Sequence, residues 1–212
     1  MGTTTRILVI TALGLAVGSA GCGDASPPTT TRATSSPATL IPTTSTVAVS
    51  TGIATSAAVA DELGAGLARL ALDPGPDAVA ALPFGERVWL GLGPTLIAPV
   101  ARSSLAEPAR WRIEPPEGHY RASVGPFSAL DTLQHHLAAT GLEPERALRV
   151  IHGEHTDCFG APAAAPPRLA RAERIAIQPA DGTIDSCIQW FSVDAFVQVE
   201  DIVAVTLDVG EP

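Results

Sequence analysis

The sequence predicts an α+β domain: a mostly antiparallel sheet with one or two packed helices, closed by a disulfide-stapled C-terminal β-hairpin. Three observations carry this expectation. From Cys187 to Val199 and again from Ile202 to Val209 apolar side chains recur every second residue, with Val203, Val205, Leu207 and Val209 expected as the apolar face of the return, and Glu200-Asp201 stands between the two runs as a turn. Two earlier stretches, one after Ser56 and one after Ser128, instead repeat leucines at three- and four-residue spacing, the period of a helix with one apolar face. Finally, Cys158 and Cys187 remain as a pair in a chain whose N-terminus reads as an export signal, where thiols oxidise.

Residues 1–21 have the layout of a lipoprotein-type signal peptide. Arg6 precedes an apolar run from Ile7 to Val17, which is too short for the ~20 residues that span a bilayer but suits the core of a signal peptide. Ser19-Ala20-Gly21-Cys22 resembles a bacterial lipobox, with Ser where Leu is usual. On that reading Cys22 is diacylated and anchors the protein to the outer face of the cell membrane, because two chains hold where one binds only marginally. The competing reading is ordinary cleavage after Gly18-Ser19-Ala20, which releases a secreted protein with a spare thiol at Cys22.

Residues 22–53 read as a tether. Between Asp24 and Thr51, 18 of 28 residues are Ser, Thr or Pro, and none is aromatic. Such a segment has too little apolar surface to offset its ordering entropy and is expected to be a disordered spacer.

Residues 54–212 are expected to form the single folded domain. Ser56 caps a helix to about Leu72, with Val59, Leu63, Leu67 and Leu70 on its buried face; Gly64 and Gly66 weaken it, and Asp73-Pro74-Gly75-Pro76 ends it. Val88, Leu90 and Leu92 alternate as a strand, Gly93-Pro94 turns, and Thr95 to Val100 returns. Trp111 and Ile113 follow a loop. Tyr120, Ala122 and Val124 alternate as a further strand. Ser128 caps the second helix, whose stripe is Leu130, Leu133 and Leu137 and whose stop is Gly141. Leu148 to His152 and Ile175 to Ile177 are short strands before the final hairpin.

Composition narrows the function. All 13 positive residues are Arg, with no Lys and no Asn, which reads as a GC-rich coding bias and not as phosphate recognition. A net charge of −9 argues against a nucleic-acid partner and against membrane attachment by charge. No G-x-S-x-G, P-loop, dinucleotide fingerprint or S-x-x-K is present, and no cofactor is expected.

The local chemistry is sparse. His152, Glu154, His155 and Asp157 form one cluster of metal-ligand types, but its spacing is neither H-E-x-x-H nor H-x-x-E-H. His152, His155 and Asp157 are therefore weak metal or acid–base candidates, set against a polar loop ahead of the disulfide. Trp190, Asp194 and Phe196 share one face of the predicted long strand and would make a ligand groove if that face is covered; otherwise it faces solvent. His135 is expected to be solvated and His136 half-buried. Arg168, Arg171 and Arg174, three residues apart, either bind an anionic polymer or pair with carboxylates.

Gly125-Pro126-Phe127-Ser128-Ala129-Leu130-Asp131, His152-Gly153-Glu154-His155, Cys187-Ile188-Gln189-Trp190-Phe191-Ser192-Val193-Asp194 and the closing Ala204-Val205-Thr206-Leu207-Asp208 resemble segments of exported lipoproteins of high-GC Gram-positive bacteria. The resemblance spans roughly residues 75–212 and implies no particular activity. The expectation is a non-catalytic envelope lipoprotein whose domain binds a small ligand or an envelope protein. The alternative is an exported hydrolase or metal-dependent enzyme using His152, His155 and Asp157.

Overall fold

Alternation in the long runs builds one sheet, and the leucine stripes build the helices that cover it. The computed structural model describes residues 56–118 and 125–210. The signal peptide, Cys22, the tether over 22–53 and the strand expected around Tyr120 lie outside the described residues.

The chain runs through helix α1 (Ala57–Leu72), a short helix α2 (Pro76–Ala80), and strands β1 (Phe84–Leu92) and β2 (Thr95–Ala101). Two-residue strands β3 (Arg112–Ile113) and β4 (Phe127–Ser128) pair with each other. Then come α3 (Ala129–Thr140), α4 (Pro144–Ala147), β5 (Leu148–His152), β6 (Glu173–Pro179), β7 (Phe191–Gln198) and β8 (Asp201–Val209). The main sheet has six strands in the order β2-β1-β8-β7-β6-β5. Every pairing is antiparallel except β1 with β8. The α+β class, the mostly antiparallel sheet and the terminal hairpin are thus as the sequence predicts, and Cys158 and Cys187 form the disulfide.

One face of the sheet carries the main core. Val88 and Leu90 of β1, Ile177 of β6, Val193 of β7 and Leu207 of β8 meet Leu67 of α1 and Leu133 of α3 there. Ser56 caps α1 by accepting from the Val59 N–H at 3.4 Å, and Ser128 caps α3 by accepting from the Asp131 N–H at 3.1 Å. Gly141, at φ +61°, ends α3 in the left-handed region that a Cβ disfavours.

Four local expectations are corrected. Val59 is 44% exposed and Ala60 takes its place in the core. At 100° per residue Ala60 lies about 20° around the helix from Leu67, the centre of the buried face, and Val59 about 80°. The last long strand begins at Phe191, not Cys187, because residues 187–189 form a 3₁₀ turn with Trp190 N–H bonded to Cys187 O at 3.1 Å. The hairpin turn is Val199-Glu200, not Glu200-Asp201: both residues have positive φ, 49° and 73°, and Asp201 pairs with Gln198. Finally, a bulge in β8 puts Ile202 opposite Val197 and Ala204 opposite Phe196, so Ile202 enters the main core and Val203 packs on the other face.

Gly64 and Gly66, unfavourable for helix propensity, stand where α1 packs closely on its neighbours. A Cβ on Gly64 would stand 2.4 Å from Val150 Cγ2, and one on Gly66 2.6 Å from Leu82 Cδ2. Their absence lets α1 settle onto β5 and the segment after α2.

The second face of the sheet is covered in part by the segment 153–172. Leu169 packs there on Phe196 and Ala204, with Trp89, Leu96 and Val203 around them. Both faces of β7 are therefore buried, which its period-two pattern alone left open.

Candidate functional site

Two places gather chemistry-bearing side chains. The first lies under the segment 153–172. Alternation along β7 sends Ser192, Asp194 and Phe196 away from the helices, and the β6 pairing sets Arg174 opposite Phe196, beside Asp194. His155 comes down onto them from the covering segment. Its Nε2 is 3.0 Å from Asp194 Oδ1, and Ser192 Oγ donates to the same oxygen at 2.6 Å. Arg174 Nε donates to Asp194 Oδ2 at 3.1 Å and its Nη2 donates to that oxygen as well, while Nη1 reaches Ala163 O at 2.7 Å. The guanidinium lies 5.6 Å from the Phe196 ring centroid.

The histidine tautomer follows from the network. Arg149 Nη2 donates to Gln178 Oε1 at 2.9 Å, which turns the Gln178 amide nitrogen toward His155 Nδ1 at 2.9 Å. With the Gln178 amide as the shorter contact, Nδ1 accepts and Nε2–H donates to Asp194; Thr156 O, 3.2 Å from Nδ1, is the longer contact on the same nitrogen. Burial acts to raise the Asp194 pKa, but the His155 hydrogen bond, the Arg174 charge and the Ser192 hydrogen bond outweigh it and hold the carboxyl below its ordinary value of 3.8.

Ser, His and Asp side chains in contact do not make a nucleophile here. Ser192 Oγ, 3.5 Å from His155 Nε2, and the Asp194 carboxylate both address the same ring nitrogen, whereas a serine nucleophile needs base and orienting acid on opposite nitrogens. Ser192 spends its proton on Asp194, and the His155 and Asp194 side chains are each 1% exposed. The arrangement binds the segment 153–172 to the sheet.

The metal-ligand candidates separate. His152 is exposed at the end of β5. His155 is committed to Asp194. Asp157 Oδ1 accepts from the Phe159 and Ala161 N–H groups, each at 2.8 Å, and so closes the turn that carries Cys158. Among the described residues no group of three or more His, Cys, Asp or Glu side chains is arranged to hold a metal ion. The arginines separate too: Arg174 is buried, while Arg168 and Arg171 are exposed.

The second place is a cleft of about 640 Å³ between α3 and the segment 183–190, within the range of small-molecule sites. Phe127, Phe191 and Val209 supply apolar surface, with Ile184, Ile188 and Trp190 from the segment 183–190. Asp131 and Asp185 are in its lining, and so are His135 and His136. His136 is held by the Ala147 carbonyl 3.0 Å from Nε2 and by an edge-on contact with Phe191, ring centroids 5.3 Å apart; His135 is exposed. Of the predicted ligand trio, Trp190 lines this cleft, whereas Asp194 and Phe196 are buried under the segment 153–172. The three do not share a groove, because residues 187–189 form a 3₁₀ turn and Trp190 precedes β7, which begins at Phe191.

The disulfide fixes the cleft's outer wall. Cys187 lies within the segment 183–190, and its partner Cys158 sits in the turn closed by Asp157. A Cβ on Gly210 would come within 1.7 Å of Cys187 O, so the end of β8 passes directly against this wall.

Asp194 and Arg174 each stand out in the sequence, but nothing local joins them. The available signal was one acid on a strand face between Trp190 and Phe196 and one arginine opening the neighbouring strand, since a buried charge requires a partner. Nothing in the sequence pointed to the pairing of α3 with residues 183–190.

No protein-family model, no curated protein and no solved structure matches this chain.

Proposed function

We propose that the domain is a non-catalytic binding module, carried by an exported protein anchored through an acylated Cys22, and that its ligand occupies the cleft between α3 and the segment 183–190. The cleft carries this reading: it is open, of small-molecule size, and its lining mixes apolar side chains with about as much polar surface, so it can hold an amphiphilic ligand. The most elaborate polar cluster of the described residues, around Asp194, is closed to solvent and internally satisfied, which supports a structural role for it; a second pocket, about 360 Å³ between α1 and α4, is smaller than the cleft and has no aromatic lining.

The test uses the chain from residue 22 with Cys22→Ser, which keeps the tether and removes the acylation site. Titration with the neutral probe 1-octanol, followed by two-dimensional amide NMR, is expected to shift Thr132, His135, Ile188 and Trp190 while leaving Ser192 and Arg174 in place. Shifts absent from the cleft, or spread evenly over the domain, would remove the site. The anchor is tested separately by metabolic palmitate labelling of wild type and Cys22→Ala, where equal labelling is the adverse result.

A further inference from the structure

We infer that the cleft selects amphiphilic cations, an ammonium group on an apolar stem, over neutral or anionic amphiphiles of the same length. The inference rests on the reading of the cleft as the ligand site and adds the chemical class of the ligand.

Two features of the lining point the same way. Phe127, Trp190 and Phe191 are in the lining, and Trp190 and Phe191 are 5% and 3% exposed, so they add apolar surface for a stem and leave the charge preference to the carboxylates. Two carboxylates, Asp131 and Asp185, stand in the same lining, and among the described residues that lining holds no arginine. Asp131 shares part of its charge with Arg112, 3.4 Å away at the rim, whereas Asp185 has no cationic partner among the described residues. Asp185 is exposed and the Asp131 side chain is 45% exposed, so an anionic head would meet solvent-screened like charges and a cationic head opposite ones. An apolar stem has Ile184, Ile188 and Val209 to lie against. His135 and His136 are the other titratable groups of the lining, so the comparison belongs at pH 8.

The Cys22→Ser chain is titrated at pH 8 with octylammonium, octanoate and 1-octanol below their aggregation limits. Octylammonium is expected to bind about fivefold more tightly than octanoate, the order that one exposed ion pair supplies. Asp131→Asn combined with Asp185→Asn is expected to reduce that preference to about twofold with 1-octanol binding unchanged. Glu86→Gln, an exposed carboxylate on β1, controls for the overall negative charge and is expected to change nothing. Normal 1-octanol binding with octanoate as tight as octylammonium overturns the cation preference and leaves the cleft standing. A preference that survives the double Asn variant, or falls equally in Glu86→Gln, overturns the assignment to this lining. Absence of 1-octanol binding at the cleft removes the site itself.

Discussion

Asp194 shows how one buried residue organises its surroundings. It accepts from His155, Ser192 and Arg174, so its charge is balanced by one guanidinium and its lone pairs by four donor groups from three residues. Asp194→Asn leaves Arg174 buried without its counter-charge and is expected to destabilise the domain by roughly 3–5 kcal/mol at pH 7. The pH dependence has a definite sign. Because the folded-state pKa is depressed, the unfolded chain takes up the proton first; the stabilisation is complete above pH ~4 and is lost as pH falls through the folded value. Urea unfolding of wild type and variant should therefore show a difference that shrinks below pH 4, and a constant difference would refute the role given to ionised Asp194. Thr206, opposite Asp194 on β8, is the contrasting case: it is 1% exposed and its hydroxyl has no partner among the described residues. Thr206→Val keeps the shape and removes the orphan group, so a gain of about 1 kcal/mol is expected. A loss in calorimetry would mean that the hydroxyl is satisfied by bound water.

At the scale of the element, the β7–β8 hairpin carries both its stability and its strain. Its strands are buried on both faces over most of their length, yet the turn places Val199, 97% exposed, and Glu200 at positive φ. A β-branched residue in that region is unfavourable, and the two-residue turn favours Asn-Gly. Val199→Asn with Glu200→Gly is expected to raise stability by about 1–2 kcal/mol, read as a higher midpoint in thermal unfolding; an unchanged or lower midpoint would show that the turn is not strained. The turn was misplaced by one residue in sequence because Val199 continues the apolar alternation and nothing local marks it as a turn residue. The bulge at Val203 was hidden for the same reason: Ile202 and Val203 are equally apolar, and only the pairing decides which faces the helices. The helices were more legible. Ser56, Ser128 and Gly141 are caps whose effect is local, and the leucine periods fix a face without reference to anything else.

For the whole molecule, the disulfide links the segment that covers the second face of the sheet to the segment that walls the cleft. Closing 29 residues of chain should stabilise the fold by about 3.5 kcal/mol through the unfolded state. Cys158→Ala with Cys187→Ala is expected to lose roughly that amount in denaturant unfolding, and to broaden amide signals over residues 183–190 more than over α1. Equal broadening in both places would show that the bridge does not hold the cleft wall in particular.

The sequence by itself determined the fold class, both long helices, the strands flanking the final turn and the cysteine pair. Each of these follows from a period, a cap or a residue count that acts within a short window of chain. Only the tertiary structure decided that β8, the last strand described, lies between β1 and β7 and runs parallel to the first of them. It also decided that Arg174 and His155 converge on Asp194, and that α3 and residues 183–190 enclose a cleft. Alternation tells which side chains share a face, but not which distant segment covers that face. The buried network and the cleft are both made by such coverage, from residues tens of positions apart.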